Sequence, residues 1–301
     1  MRAWKRLGAA AVVLAAALVV VLPPAGAGTR GTPNAPVQIG LVATLFRDAP
    51  PSLIQVLSRP LKALMESQTG LTGELVVAGD AFDLAQKLKD QRAQLGVFHG
   101  FEFAWARQKN PELRPLVIAV YQHRQLHAHL VVLKDGPISS WADLKGKVLA
   151  LPYKSREHCH LYLERRCPGG GVDPHKFFAA ITTPASAEDA LADVVDGLAQ
   201  AAIVDRVALD QYQEAKPARA NKLRLLYQSE AFPAAVVAYQ PGVLDEATLR
   251  RFRDGLTSAH RTARGKELLN LCGITAFEEV PNDFEQQLVD IARAYPPRAA
   301  R

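Results

Sequence analysis

Short apolar runs alternate with amphipathic helical stretches across residues 37–98, and this alternation constrains the fold more than any other feature of the 301-residue chain. Residues 37–43 form an apolar run of strand length. Over 53–67, Leu53, Val56, Leu57, Leu61, Leu64 and Met65 recur at helical spacing and predict one apolar face. Gly70 and Gly73 punctuate, and 74–78 reads as a second strand. Asp80 is placed to cap a helix whose apolar positions are Phe82, Leu84, Ala85 and Leu88. Residues 95–98 make a third strand. A β-α-β-α-β order predicts a mainly parallel sheet covered by helices, an α/β fold.

The pattern then changes and returns. Residues 116–121 and 126–133 are two strands in close succession, which read as extended crossing segments. Trp141-Ala142-Asp143-Leu144-Lys145-Gly146-Lys147 leads into a strand over 148–151, followed by a helix over 157–166. The triplet Gly169-Gly170-Gly171 breaks the chain. Helices are expected over 173–178, 187–198 and 207–213, with strands over 201–204, 223–226 and 234–239. Helices over 245–258, 261–271 and 284–295 close the sequence. Two α/β series joined by extended segments near 121–130 and 228–236 predict two lobes with a cleft between them. The expected division is 37–125 plus 232–301 for the first lobe and 126–231 for the second. Ligands of open α/β sheets sit beyond the carboxyl ends of strands. The loops over 44–48, 99–103, 153–158, 205–206 and 229–233 are therefore the ones to inspect.

The first 36 residues stand apart. Arg2, Lys5 and Arg6 precede an apolar run over 7–22, then Pro23-Pro24 and the small-residue site Ala25-Gly26-Ala27. This is the order of a secretory signal, expected over 1–27, with a flexible lead-in over 28–36. The run is shorter than the ~20 residues of a membrane span. An uncleaved anchor is the alternative. The chain carries 36 basic and 30 acidic residues, and three of the basic ones lie in that leader. The remainder is only weakly basic, which argues against nucleic acid as a partner. No second long apolar run occurs, so no membrane association is expected after cleavage. There is no GxSxG, Walker A, HExxH or GxGxxG motif, so no enzyme is expected.

Several residues carry candidate binding chemistry. Ser155 is expected to cap the helix over 157–166, and Arg156 adds a planar charged fork, which together suit an anion. His99 and Glu102 are polar residues among Phe98, Phe101, Phe103 and Trp105. Glu102 is placed to take a ligand amine or to pair with Arg156. Asp205 follows the strand over 201–204 and caps the next helix. Arg47, just after the first strand, is a second anion candidate. Seven of the eight histidines lie between 99 and 175, yet His158 and His160 point ~200° apart on a helix, so hydrogen bonding rather than a metal site is expected. Cys159 and Cys167 are eight residues apart, about 12 Å of helical rise, too far for a disulfide on a continuous helix. With Cys272 the number is odd.

These segments resemble a known family. The opening run over 37–43, Asp83-Leu84-Ala85-Gln86-Lys87-Leu88, the stretch from Gln94 to Phe103, the stretch from His129 to Ile138, the run Trp141–Lys147 and Ser229 with Phe232-Pro233 are similar to the periplasmic phosphonate-binding proteins of ABC importers. Asp143-Leu144-Lys145-Gly146-Lys147 is the most specific piece and is shared by many type II binding proteins. The resemblance spans about 37–260. It implies two α/β lobes joined by two crossover strands and closing on a small anion, an ABC permease as partner, a periplasmic or otherwise extracytoplasmic location, and no cofactor. A monomer is expected. Phosphonate binders carry a Ser-Thr-Ser-like turn at the helix start after this run. Here the segment reads Tyr153-Lys154-Ser155-Arg156-Glu157-His158, with Ser155 in the first serine's role. The expected ligand is a small oxyanion such as phosphonate, phosphate or phosphite, contacted by Tyr153, Ser155, Arg156, His158, His99, Glu102, Asp205 and Arg47. The alternative is a stand-alone or sensor-linked binding domain with a different ligand, a metal or an organic molecule.

Overall fold

Thirteen strands and eleven α-helices order the described residues, 36–47, 51–168 and 173–297, of the computed structural model. The expected signal over 1–27, nearly all of the lead-in and the glycine triplet lie outside them. The chain opens with β1 (Val37–Leu41), α1 (Pro51–Thr69), β2 (Gly73–Val77), α2 (Ala81–Lys89), β3 (Leu95–Phe98), α3 (Gly100–Lys109) and β4 (Arg114–Val120). Next come β5 (Gln125–Leu126), β6 (Ala128–Leu133), β7 (Val148–Ala150), α4 (Glu157–Arg166), α5 (Pro174–Phe177) and β8 (Ala180–Thr182). Then follow α6 (Ala187–Val195), β9 (Ala201–Asp205), α7 (Arg206–Ala215), α8 (Pro217–Ala220) and β10 (Leu223–Gln228). The last elements are β11 (Phe232–Pro233), β12 (Ala235–Tyr239), α9 (Glu246–Ser258), α10 (Ala263–Leu271), β13 (Ala276–Glu278) and α11 (Phe284–Ala294).

The strands form two principal sheets. One has the order β13-β4-β12-β3-β1-β2, the other β10-β6-β9-β7-β8. Both are mixed. The alternating βα segments pair in parallel, β1 with β2 and β3, and β7 with β8 and β9. The antiparallel strands enter where the chain crosses between sheets: β12 between β3 and β4, and β6 between β9 and β10. The single strand expected over 126–133 is two. β5 pairs with β11 as a separate two-stranded crossover, and β6 belongs to the second sheet. This is a two-lobed α/β architecture with helix-covered sheets.

Local chemistry explains the main helices. Asp80 accepts the N–H groups of Phe82 and Asp83 at 2.9 Å, the expected cap of α2, and Ala81, Leu84, Ala85 and Leu88 are buried on its inner face. In α1, Leu64 and Met65 are buried, but Val56 is 48% exposed, so the apolar face is narrower than its spacing suggests. α3 shows no one-sided pattern. Phe101, Glu102, Phe103, Ala104 and Ala106 are all buried, because the helix packs against α2 on one side and α11 on another. Gly100 lets its first turn approach the crossover: a Cβ there would lie 2.4 Å from the Pro233 carbonyl oxygen. One hydrophobic cluster runs from Ile118 and Val236 of the first sheet through Phe232 to Leu130, Leu149 and Ile203 of the second.

Candidate functional site

The strand ends and helix starts of the two sheets meet around the crossover. Thr44, on the turn after β1, donates its hydroxyl toward both carboxyl oxygens of Glu102, at 2.9 and 2.8 Å. Glu102 is 3% exposed. Burial pushes its carboxyl up to about 7; the Thr44 bond opposes the shift and the nearby Glu157 charge adds to it. His99 is the N-cap residue of α3 and stacks on Phe101, ring centroids 5.6 Å apart. Its Nε2 is buried without a hydrogen-bond partner among the described residues. Burial lowers its pKa to about 4; the Thr44 backbone opposes this, and the neighbours His158, Arg156 and Arg47 reinforce it. The imidazole is therefore neutral at pH 7.

The second lobe supplies a buried pair. Asp205, at the end of β9, caps α7 as expected by accepting the Val207 N–H at 2.9 Å. Its Oδ2 lies 3.1 Å from Nε2 of His158, which is 2% exposed, and 3.9 Å from Nε of Arg156. The His158 contact has an ion-pair distance without hydrogen-bond alignment. Burial pushes the Asp205 carboxyl up, but His158, Arg156 and the Val207 N–H outweigh it and hold it below the ordinary carboxylate range. Arg156 lies over the Tyr121 ring, 4.0 Å from its centroid. His158 packs on Phe232 of the crossover at 5.4 Å.

The structure corrects two expectations. Ser155 does not cap α4. The helix is entered through Arg156, whose side chain does not cap it, and the Ser155 N–H closes the preceding turn onto the Pro152 carbonyl at 2.9 Å. Glu102 does not pair with Arg156; it faces Thr44, while Arg156 faces Asp205 and Tyr121. Arg47, the second anion candidate, has its fork on the Glu157 carboxylate, with Nε to Oε2 at 2.5 Å. Tyr153 is 53% exposed, and its backbone N–H donates to the Pro184 carbonyl at 2.9 Å. The structure thus brings together Thr44, Arg47, His99, Glu102, Arg156, Glu157, His158 and Asp205.

Other sequence candidates are absorbed into the fold. Among the described residues no three His, Cys, Asp or Glu side chains converge as a metal site requires. His127 and His129 lie 6.5 Å apart on β6 and its entry, with His127 Nδ1 3.2 Å from the Ser229 carbonyl oxygen. Cys159 is fully buried, and burial pushes its thiol well above the ordinary range, which disarms it as a nucleophile. All three cysteines are free.

Sequence reasoning missed the chain end. Tyr295, after α11, is fully buried; its hydroxyl donates to Glu230 at 2.5 Å and its carbonyl accepts from Trp105 Nε1 at 2.7 Å. Arg165 of α4 donates to the Pro296 carbonyl at 2.6 Å, and Arg166 pairs with Glu230 while lying 4.9 Å above the Tyr295 ring. The terminus thus ties α3 to α4, the helix that opens onto the cleft. An isolated tyrosine followed by two prolines carries no signal of such partners.

A family profile described as "ABC transporter, phosphonate, periplasmic substrate-binding protein" matches residues 45–283. Solved structures share the fold. XAC2383 from Xanthomonas citri bound to ATP is 20% identical, with 86% of this chain and 96% of that chain covered and a TM-score of 0.58. PhnD1 from Prochlorococcus marinus in complex with methylphosphonate is 13% identical, with 85% and 97% covered and a TM-score of 0.54. A binding protein component of an ABC phosphonate transporter from Pseudomonas aeruginosa is 16% identical, with 86% and 87% covered and a TM-score of 0.52. No curated protein matches. The profile covers well over half of the sequence, and the chain belongs to the periplasmic substrate-binding proteins of phosphonate ABC transporters, transport proteins of the type II binding fold.

Proposed function

We propose that this protein is exported, acts as a monomer and captures a small phosphorus oxyanion (phosphonate, phosphate or phosphite) for an ABC permease, without chemistry on the ligand. The two lobes, 37–125 with 232–301 and 126–231, close on it. The observation that carries this reading is the start of α4. Among the described residues no side chain at its N-cap bonds that helix start, and Arg156 stands at its mouth with its guanidinium over Tyr121. An uncapped helix start offers free N–H groups and a partial positive charge of about half a unit. Arg156 adds a fork that matches two anion oxygens. Ser155 supplies a hydroxyl from the adjoining turn, and His99, His158 and Asp205 read the rest of the ligand.

Calorimetry with phosphate, methylphosphonate and ATP tests the reading, the last two being what its structural neighbours hold. The expected result is saturable binding of at least one, weakened about 10- to 150-fold by Arg156→Ala, the ~1.5–3 kcal/mol range of a charged hydrogen bond. Arg156→Lys keeps the charge and loses the fork, and should fall between. Equal binding by Arg156→Ala overturns the assignment. Intact mass of the exported protein should show a mature N-terminus at Gly28.

A further inference from the structure

The helices on the two faces of the first sheet differ in charge. On one face Leu64 of α1, Phe252 of α9 and Leu268 of α10 share a buried cluster with Ile39, Val117 and Val237 of the sheet. These three helices form one close layer. A Cβ on Gly255 of α9 would lie 2.5 Å from the Gln68 carbonyl oxygen of α1, and Arg251 of α9 donates to the Thr69 carbonyl at 2.9 Å. The layer is basic. α1, α9, α10 and the turn over 259–262 carry eight Lys and Arg against four Asp and Glu, an excess of four positive charges. The rest of the chain after residue 27 holds 25 basic and 26 acidic residues. α2, α3 and α11, on the opposite face of the sheet, carry five against four.

Most of these cations are uncommitted. Arg59, Arg250, Arg253, Arg261 and Lys266 form no ion pair among the described residues, and all but the half-buried Arg253 are exposed. Lys62 and Arg264 pair only within their own helices, with Glu66 at 3.8 Å and Glu267 at 2.8 Å. Like charges held on one layer repel one another, and an anionic surface laid against them removes that repulsion. Two further features select the surface. Leu271 at the end of α10 is 63% exposed and Val56 of α1 is 48% exposed. Bulky apolar tips on basic helices suit the boundary between lipid headgroups and acyl chains. The one Phe, Trp or Tyr on these helices, Phe252, is buried, so no ring is offered to stack on a nucleic-acid base.

We infer that the layer of α1, α9 and α10 docks on an anionic lipid bilayer, with its guanidinium groups on phosphate headgroups and Leu271 and Val56 at the apolar boundary. Among the described residues no helix is long and apolar enough to cross a membrane. Docking needs no such helix. It draws on charges from positions 59 to 266, which no single stretch of sequence collects, and it replaces the expectation of no membrane association after cleavage. None of these residues belongs to the cleft, so the inference does not rest on the oxyanion reading. A substrate-binding protein held in this way stays in the plane of the membrane transporter that its family serves.

Co-sedimentation of the exported protein with phosphatidylglycerol vesicles, against phosphatidylcholine vesicles, tests this. Binding is expected to the anionic vesicles only. It should fall about tenfold or more when salt rises from about 0.01 to about 1 M, which shortens the screening length from about 30 to about 3 Å. Arg250→Glu with Arg261→Glu should weaken binding about tenfold or more. Arg59→Gln with Lys266→Gln, milder changes on α1 and α10, should weaken it about three- to tenfold. Leu271→Ser should cost about two- to fivefold. Lys89→Glu with Lys109→Glu makes the same change in net charge as the first pair, but on α2 and α3, and should bind as wild type does. All variants share whichever N-terminus export leaves, so the leader cannot produce a difference between them. Equal binding to the two lipids overturns the inference. So does wild-type binding by both variants of the basic layer, or an equal loss in Lys89→Glu with Lys109→Glu. Retention on immobilised DNA with no binding to either vesicle overturns it in favour of a nucleic-acid partner.

Discussion

Replacing Asp205 by asparagine removes one charge and almost no volume. Oδ1 caps α7 by accepting the Val207 N–H, and asparagine caps about as well as aspartate, so that contribution survives. The loss falls on Oδ2, which lies 3.1 Å from His158 Nε2 and 3.9 Å from Arg156 Nε, with the His158 and Asp205 side chains almost wholly buried. Breaking a buried pair costs about 3–5 kcal/mol when the partner stays charged. An imidazole can shed its proton instead, and the contact lacks hydrogen-bond alignment, so the smaller range of about 1.5–3 kcal/mol applies. That is a large share of the 5–15 kcal/mol typical of a folded protein. Urea unfolding at pH 7 should show a lower midpoint with an unchanged slope, and Asp205→Ala should lose about 1 kcal/mol more through the cap. The sign of the pH effect follows from the lowered carboxyl pKa in the fold. The stabilisation is present above the ordinary aspartate value of about 4 and disappears as pH falls through the folded value. The gap between wild type and Asp205→Asn should therefore close in acid. A wild-type midpoint for Asp205→Asn at pH 7, or an equal gap at pH 3, refutes a charge-based role.

Glu102 behaves oppositely, because its folded pKa is raised from 4.5 to about 7. Its contribution is fully present below about pH 4.5 and is lost as pH rises through 7, a swing of about 3 kcal/mol; unfolding at pH 5 and pH 8 should show Glu102→Gln without that swing. Arg47→Ala should cost less than about 1 kcal/mol, since the guanidinium is partly exposed, yet enlarge the radius of gyration in small-angle scattering by releasing Glu157 on the other lobe; an unchanged radius means the pair does not hold the cleft closed. Cys159 should resist iodoacetamide in the folded protein and react once denatured, and rapid labelling of native protein would contradict its burial.

The alternating half of each sheet was legible because its helices bury one face only, and Asp80 and Asp205 announce their helices by chemistry local to the cap. α3 was not legible as a full helix, since residues on all its faces are buried and no period survives. β8 and β13 span three residues each, too short to show alternation. The site was legible as a set of loops at strand ends, which placed His99, Glu102, Arg156, His158 and Asp205 near one another. Their pairing was not legible. Glu102 meets Thr44 from 58 positions away, and Arg47 meets Glu157 from 110. Ser155 looked like a cap by type, but the helix starts at Glu157 as expected, so the cap position is Arg156 and Ser155 lies in the turn before it.

The placement of β12 has a consequence for how the molecule is assembled. All five strands of the second sheet come from one unbroken stretch, residues 128–228, so that sheet holds every strand it needs once that stretch has emerged. The first sheet does not. β3 and β4 are close in the chain but do not touch, and the slot between them is filled only by residues 235–239. Until those residues arrive, each strand presents an open hydrogen-bonding edge, the kind of surface that pairs with other chains. A polypeptide cut short before Ala235 therefore keeps a finished second sheet beside a split first one, and such fragments join to one another through the gap.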